Sequence, residues 1–97
     1  MYMTDFERKV YDVVKTIPYG QVMTYKEVAM HLGNEKLCRA VGNALHKNPN
    51  HDEIPCHRVV NSKYELSGNF AFGGPDGQKG YLEAEGIIVK NNKVIIT

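Results

Sequence analysis

The stretch of residues 24–49 reads TYKEVAMHLGNEKLCRAVGNALHKNP and predicts two helices joined by a very short turn. Thr24 and Glu27 match a Thr-x-x-Glu capping box, in which each side chain satisfies the backbone N–H of the other residue. Gly33 is expected to end this first helix, because glycine readily adopts the left-handed conformation needed there. Asn34 can then cap the next helix at once. Such a pair is typical of a helix-turn-helix, which serves either in DNA binding or as plain core architecture.

The second helix of the pair is expected to run to about Asn48, because the residue before a proline disfavours the helical conformation. Its outward face has residues at a spacing of three to four, namely Arg39, Gly42, Asn43 and His46. Its inward stripe is Leu37, Val41, Ala44 and Leu45. A glycine inside a helix costs about 0.8–1 kcal/mol relative to alanine. Gly42 therefore indicates close approach, either to a surface such as a DNA groove or to a neighbouring helix.

The flanking sequence predicts the remaining elements. Thr4 and Glu7 match another capping box at the start of a helix that should end at Pro18. Its apolar stripe at helical spacing is Phe6, Val10, Val13, Val14 and Ile17. A buried segment is expected over Ile54–Val60, then a glycine-rich loop and a helix over about Asp76–Ala84. Two apolar strands flank Asn91-Asn92, a pair suited to a tight hairpin turn. The predicted fold class is α/β: a mostly helical single domain, residues 1–97, with a winged helix-turn-helix and a small C-terminal β-hairpin.

Length and composition limit the function. The chain has 97 residues, 42% of them hydrophobic, which suits one globular domain. No apolar run approaches the ~20 residues that cross a bilayer, and Met1–Lys9 lacks the apolar stretch of a signal peptide. We therefore expect a cytoplasmic monomer that does not act at a membrane. The net charge of +1 requires any DNA-binding surface to concentrate its positive charge locally.

Cys56 lies in the segment Ile54-Pro55-Cys56-His57-Arg58-Val59. It is either a small buried hydrophobe, as most free cysteines are, or a reactive thiolate whose pKa His57 and Arg58 depress. A metal site is disfavoured because no Cys-x-x-Cys pair occurs among the candidate ligands His31, Cys38, His46, His51, Cys56 and His57. The glycine-rich loop also lacks the Gly-Lys-Ser/Thr of a phosphate-binding loop. We expect neither a metal nor any other cofactor.

The motif Pro55-Cys56-His57-Arg58-Val59 closely resembles the active-site motif of the O(6)-alkylguanine-DNA alkyltransferases, the methylated-DNA–protein-cysteine methyltransferases. Further segments resemble the family in its own order and near its spacing: residues 20–25, residues 39–44 followed by Asn48-Pro49, and residues 82–86. The resemblance covers about residues 4 to 90. It corresponds to the family's C-terminal DNA-binding and active-site domain, and the N-terminal domain of typical members is not expected here.

The resemblance implies a chemistry. The protein would flip O(6)-alkylguanine out of duplex DNA and transfer the alkyl group irreversibly to Cys56, once per molecule. His57 would act as the base through a water molecule, and Glu85 would orient His57. Tyr25 would donate a proton to the departing guanine and help to turn its phosphate.

The resemblance also implies that the helix carrying Arg39 binds DNA in the minor groove. Arg39 would fill the space left by the flipped base, and the small residues Ala40 and Gly42 would let the helix sink into the groove. Asn43 stands where glycine is frequent, and Cys38 where alanine is frequent. Asn48 would brace the turn between this helix and the active-site segment.

The alkyl pocket is implied to include Pro55, together with the glycine-rich loop. That loop is about two residues longer than in well-known members and carries Phe70 and Phe72. These two residues could contact the base or could belong to the core.

Three other functions stay open. Small alkyltransferase-like proteins share this size, bind the lesion and signal excision repair without enzymatic activity, usually with tryptophan in place of the acceptor cysteine. Here Cys56 is present and the chain has no tryptophan, which favours the transferase. A winged-helix transcriptional regulator would leave Tyr25, Cys56, His57 and Glu85 without a joint explanation. A cysteine hydrolase lacks an oxyanion-hole pattern.

Overall fold

The computed structural model describes residues 4–66 and 73–96. Within these residues the α-helices are α1 (Asp5–Val14), α2 (Tyr25–His31), α3 (Cys38–His46) and α4 (Gly74–Ala84). The strands are β1 (Met23–Thr24), β2 (Val59–Val60), β3 (Ile88–Lys90) and β4 (Lys93–Ile95). Short 3-10 helices cover Glu35–Leu37 and Cys56–Arg58. The predicted mostly helical domain with a small hairpin is confirmed.

Both predicted capping boxes are present. Thr4 accepts a hydrogen bond from the Glu7 backbone at 3.1 Å, and the Thr4 backbone donates to the Glu7 carboxylate at 3.0 Å. Thr24 and Glu27 repeat the arrangement with the same two distances. Helix α1 nevertheless ends at Val14, earlier than predicted. The apolar stripe misled the prediction, because Ile17 is buried without being helical.

The turn between α2 and α3 is confirmed at Gly33, which has a φ of +94°. The predicted start of the next helix at Asn34 is wrong by one turn. Asn34 accepts from the Lys36 backbone at 3.0 Å, which caps the 3-10 helix Glu35–Leu37. Helix α3 follows only from Cys38.

Two short sheets connect the helices to the rest of the chain. Strands β1 and β2 are parallel, with Met23 beside Val59 and Thr24 beside Val60. Because this pairing is parallel, the residues that precede β1 and the 3-10 helix Cys56–Arg58 lie at the same end of the sheet. Strands β3 and β4 form the expected antiparallel hairpin, in which Asn91 and Asn92 take φ values of 53° and 63°. Positive φ at both turn residues is what a type I′ hairpin requires.

The core has two clusters of buried side chains. The first joins α1, α2 and α3 to Cys56, and it includes Tyr11, which the predicted stripe omitted. The Tyr11 hydroxyl donates to the Ala44 carbonyl at 2.6 Å, so its polar atom is satisfied inside the core. The second cluster joins β2 and α4 to the hairpin through Val60, Leu82 and Val94. Cys56 belongs to the first cluster, and the strand β2 that follows contributes Val59 to the first cluster and Val60 to the second.

Candidate active site

Cys56 opens the 3-10 helix that follows Pro55, and it is only 5% exposed. Its backbone N–H donates to the Ile54 carbonyl at 2.8 Å. Burial raises the pKa of the Cys56 thiol, and a hydrogen bond with the Asn48 side chain lowers it by less. The thiol is therefore protonated at neutral pH and needs a base before it can act as a nucleophile.

Asn48 fixes the connection between α3 and this segment. It is 7% exposed, and its amide nitrogen donates to the Ile54 carbonyl at 2.8 Å. Its amide oxygen accepts from the Asn50 backbone, also at 2.8 Å. The contacts are those of the predicted brace.

Glu85, just beyond the end of α4, gathers several donors. His57 Nε2 lies 2.6 Å from Oε2, and the Gly20 backbone N–H donates to Oε1 at 2.8 Å. The Arg58 guanidinium donates through Nε at 3.0 Å and through Nη2 at 2.8 Å. Burial acts to raise the pKa of Glu85, but the hydrogen bonds from Arg58, Gly20 and His57 together lower it to about 2. Glu85 is thus a carboxylate at neutral pH and can only accept hydrogen bonds.

The state of His57 follows from this contact. Because Glu85 only accepts, His57 Nε2 must carry a hydrogen, which leaves Nδ1 to act as a base. Burial lowers the pKa of His57, although the hydrogen bond and the charge of Glu85 act in the opposite direction. His57 is 5% exposed, so a neutral imidazole oriented by a carboxylate is buried in this site. The predicted contact between Glu85 and His57 is present.

Arg58 does not serve the thiol as the sequence suggested. Its guanidinium donates to Glu85 and, through Nη1, to the Ile17 carbonyl at 2.8 Å. The expected lowering of the Cys56 pKa by His57 and Arg58 is wrong, because burial dominates and raises it. Arg58 instead lowers the pKa of Glu85 and connects the loop after α1, through the Ile17 carbonyl, to Glu85 just beyond α4.

Two residues of the site were missed as functional candidates. His51, considered only as a metal ligand, lies with its Nε2 2.8 Å from His57 Nδ1. Tyr81 of α4 packs its ring 4.3 Å from His51 and 5.4 Å from His57, between centroids. The one signal in the sequence was the position of His51 in the polar turn after Asn48-Pro49.

Gln78 of α4 was also missed. It is 1% exposed, and its amide nitrogen donates to the carbonyls of His57 at 3.0 Å and Val59 at 2.9 Å. It therefore holds the backbone on which His57 is carried. A glutamine inside an otherwise polar helix gave no signal of this role.

The residues predicted to face DNA are not all accessible. Arg39 and Asn43 are exposed on α3, and Ala40 is half-buried. Gly42 is buried, so its expected place on the exposed face is wrong. Tyr25 is the first residue of α2 and is half-buried against the first core cluster.

Of the predicted alkyl-pocket residues, Pro55 is half-buried beside Cys56. Phe70 and Phe72 lie outside the described residues. A cavity of about 450 Å³ opens elsewhere, between the segment Gly20–Val22 and the C-terminal hairpin. Its lining does not include Cys56, so this cavity is not the predicted pocket.

Within residues 4–66 and 73–96, no group of three or more His, Cys, Asp or Glu side chains is arranged to hold a metal ion. No helix in these ranges has both the length and the apolar character to cross a bilayer.

Comparison with known proteins gives a consistent result. Residues 5–87 match the family model described as 6-O-methylguanine DNA methyltransferase, DNA binding domain. The chain is 41% identical to a methylated-DNA–protein-cysteine methyltransferase of Methanosarcina acetivorans over 83 residues, covering 86% of this chain and 52% of that protein. It is 43% identical to alkyltransferase-like protein 1 of Schizosaccharomyces pombe over 88 residues, covering 90% of this chain and 81% of that protein. The chain thus spans about half the length of the archaeal methyltransferase.

Solved structures of similar proteins agree with the fold. The S. pombe alkyltransferase-like protein, in complex with damaged DNA containing O(6)-carboxymethylguanine, superposes with a TM-score of 0.84 at 36% identity. That match covers 100% of this chain and 93% of the yeast chain. The Mycobacterium tuberculosis OGT in complex with DNA superposes with a TM-score of 0.82 at 38% identity, covering 88% of this chain and 51% of that one.

Proposed function

Because this chain belongs to the 6-O-methylguanine DNA methyltransferase family, we propose that it repairs DNA by transferring the alkyl group of O(6)-alkylguanine to Cys56. The substrate is duplex DNA, bound through its minor groove by α3. The target base cannot be reached inside the stack, so it is extruded at a cost of a few kcal/mol. Arg39 on the exposed face of α3 fills the vacated space.

The observation that supports the proposal most strongly is that the base His57 directly follows Cys56 and is oriented by Glu85. His57 Nε2 is held 2.6 Å from a Glu85 carboxylate, and Cys56 precedes His57 in the same 3-10 helix. A nucleophile, a base and a group that orients the base form the usual set for activating a thiol.

The reaction is a single displacement. The proton leaves Cys56 for an imidazole, and the sulfur attacks the alkyl carbon. A carbon–sulfur bond forms as the carbon–oxygen bond breaks, and its electron pair leaves with the guanine. Tyr25 donates a proton to the guanine, which stabilises the leaving group. The thioether product has no route to hydrolysis here, so each molecule reacts once.

A second candidate is the lesion-binding role of the small alkyltransferase-like proteins. The share of each relative that the chain matches favours this role, because the chain spans 81% of the S. pombe alkyltransferase-like protein but 52% of the archaeal methyltransferase. Against it stands Cys56, since that class usually carries tryptophan at the acceptor position.

The test is the intact mass of the protein after incubation with an O(6)-methylguanine duplex. We expect a gain of one methylene, mapped to Cys56, that Cys56→Ala abolishes and Cys38→Ala leaves intact. Cys38 is the matched control because it is the other cysteine of the chain. No gain in mass with tight lesion binding retained would favour the damage sensor. Neither mass gain nor binding would refute both candidates.

A further inference from the structure

The contact between Glu85 and His57 has two opposing effects on His57 as a base. Glu85 Oε2 lies 2.6 Å from His57 Nε2, and both side chains are only 6% exposed. A carboxylate this close to an imidazole orients the ring, but it also favours the charged imidazolium over the neutral form. An imidazolium carries a hydrogen on both nitrogens and cannot take up a proton. Glu85 alone would therefore orient His57 and at the same time disable it as a base.

Arg58 brings a permanent positive charge to the same carboxylate. Its Nη2 donates at 2.8 Å to Oε2, the oxygen that His57 also contacts, and its Nε donates to both carboxylate oxygens at 3.0 Å. Because an arginine side chain stays charged in proteins, the charge of Glu85 is matched in either state of His57. Protonation of His57 would bring a second cation to a carboxylate that is already paired, and a like charge nearby disfavours that step.

The loop after α1 holds this ion pair in position. Arg58 Nη1 donates to the Ile17 carbonyl at 2.8 Å. The guanidinium carbon lies 5.7 Å from the centroid of the Tyr19 ring, within the range of a cation–π contact. The Gly20 backbone donates to Glu85 Oε1 at 2.8 Å. The same loop thus binds both the guanidinium and the carboxylate, so the ion pair is held independently of His57.

The other groups around His57 do not replace this cation. Within the residues that the structure describes, the titratable or charged side chains facing His57 are Glu85 and Tyr81, His51 from the turn after α3, and Arg58. Burial lowers the pKa of His57 most, the hydrogen bond and charge of Glu85 raise it, and the charge of Arg58 lowers it. Burial also lowers the pKa of His51, so His51 adds no positive charge at neutral pH. Among these groups, Arg58 is the cation that opposes Glu85.

We propose that Arg58 is a positioning residue that keeps the His57 imidazole neutral by matching the charge of Glu85. The proposal rests on the function proposed above, in which a neutral imidazole takes up the proton of Cys56. Glu85 fixes the orientation and the tautomer of the ring, and Arg58 offsets the charge that comes with this contact. The base therefore stays available at neutral pH without losing the hydrogen bond that orients it.

The test is the pH titration of the His57 ring in nitrogen-15 NMR spectra of histidine-labelled protein, with His57→Gln used to assign its signals. Arg58→Gln removes the charge but keeps an N–H donor, whereas Arg58→Lys keeps the charge and loses the planar fork. Arg8→Gln is the matched control, because it removes the same charge at an exposed position of α1. Circular dichroism and urea unfolding establish that each variant is folded.

In Arg58→Gln we expect the His57 titration to move to higher pH. At the wild-type midpoint, the ratio of protonated to neutral His57 should rise about tenfold, the lower end of the effect of one neighbouring charge. Arg58→Lys and Arg8→Gln should stay close to wild type. A titration in Arg58→Gln that is unchanged or moves to lower pH would overturn the proposal. Equal shifts in Arg58→Gln and Arg58→Lys would also overturn it, because a purely structural role depends on the fork and not on the charge.

A second set of variants covers the case in which Arg58→Gln does not fold. Glu85→Gln leaves Arg58 as an unmatched cation beside His57, and the double variant Arg58→Gln/Glu85→Gln removes both charges. We expect His57 to titrate at lower pH in Glu85→Gln than in the double variant, because only the single variant keeps the cation. Arg58→Lys/Glu85→Gln should match the single variant. Equal midpoints in all three proteins, or the reverse order, would refute the role of Arg58.

Alkyl transfer from an O(6)-methylguanine duplex, followed by intact mass across the pH range, separates this proposal from the proposed function. The acid limb of the transfer profile should move with the His57 titration in Arg58→Gln, and a limb that stays in place would overturn the role in the reaction. No transfer by the wild-type protein, with the NMR shifts as expected, would refute the proposed function and leave the effect of Arg58 on His57 standing. Transfer by the wild type, with the same His57 titration in wild type and Arg58→Gln, would refute the role of Arg58 alone.

Discussion

Replacing Asn48 by alanine removes the side chain that connects α3 to the active-site segment. Two hydrogen bonds with the backbone are lost, to the Ile54 carbonyl and from the Asn50 backbone, each 2.8 Å long, together with the hydrogen bond to the Cys56 thiol. The Ile54 carbonyl still accepts from the Cys56 backbone, so it is not left unsatisfied. The two hydrogen bonds with the backbone are ordinary ones, together worth about 1–3 kcal/mol of unfolding free energy. For a domain of this size that corresponds to a fall in Tm of roughly 4–24 °C.

The same substitution should alter the chemistry of the thiol. The Asn48 hydrogen bond lowers the pKa of Cys56, so its removal leaves burial unopposed by this contact and raises that pKa further. We expect Cys56 in Asn48→Ala to react more slowly with iodoacetamide at neutral pH. Stability is measured by urea and thermal unfolding followed by circular dichroism, and reactivity by intact mass.

The matched control is Asn61→Ala. Asn61 likewise makes two hydrogen bonds with the backbone, accepting from Lys63 and Glu65 at 2.9 Å each, and its amide nitrogen donates to the Glu65 carboxylate at 3.1 Å. These partners all lie outside the described residues 54–58 of the active-site segment. Asn61→Ala should lose stability without changing the Cys56 reactivity. A cost below about 0.5 kcal/mol in Asn48→Ala, or an equal change in thiol reactivity in both variants, would refute the reasoning.

Three other predictions follow from the site. The pKa of Glu85 is lowered from 4.5 to about 2, so its contribution to stability is complete above pH 4.5 and is lost as the pH falls towards 2. The difference in unfolding free energy between wild type and Glu85→Gln, measured in urea, should therefore shrink as the pH falls from 4.5 to 2. A difference that stays constant over this range would contradict the prediction. Gln78→Leu should lower the unfolding free energy by about 1–3 kcal/mol, measured by thermal unfolding, because two backbone carbonyls lose their donor. The control is Gln21→Leu at an exposed position, and an equal loss of stability in both variants would be inconsistent with this role. Arg39→Ala should slow repair of an alkylated duplex by about tenfold or more, since base flipping costs a few kcal/mol, while the reaction with the free alkylated base is unchanged. Arg8→Ala, which removes another exposed arginine, is the control. Equal losses on both substrates in Arg39→Ala would exclude the role in flipping.

The sequence predicted what depends on neighbouring residues. The two capping boxes and the Asn91-Asn92 turn each rest on contacts between residues at most three apart, and all three are present. The end of α1 was not predictable in the same way, because Ile17 continues the apolar stripe beyond the last helical residue. Buried positions recur with the helical period only as long as the chain stays helical, so the pattern of apolar residues does not mark where a helix ends.

The active site divides along the same line. The contact between Glu85 and His57 was expected only through the resemblance to a family, since it joins residues far apart in the chain. Neither spacing nor composition indicated that Arg58 would turn away from Cys56 and towards Glu85. The burial of Gly42 within α3 was also not indicated by the spacing of its neighbours. These outcomes depend on tertiary packing, which the local sequence pattern does not determine.

The bond from the Gly20 backbone to Glu85 gives the protein a spectroscopic reporter of its own. Gly20 lies in the loop before β1, where its φ is +81°, and its amide donates to Oε1 of the carboxylate that orients His57. A change of charge on His57 alters the electron density of that carboxylate and hence the shielding of the amide proton. In a nitrogen-15 correlation spectrum, the Gly20 peak would therefore move as the site is protonated or alkylated. Under the proposed function, alkylation of Cys56 could then be followed without labelling the DNA or the cysteine.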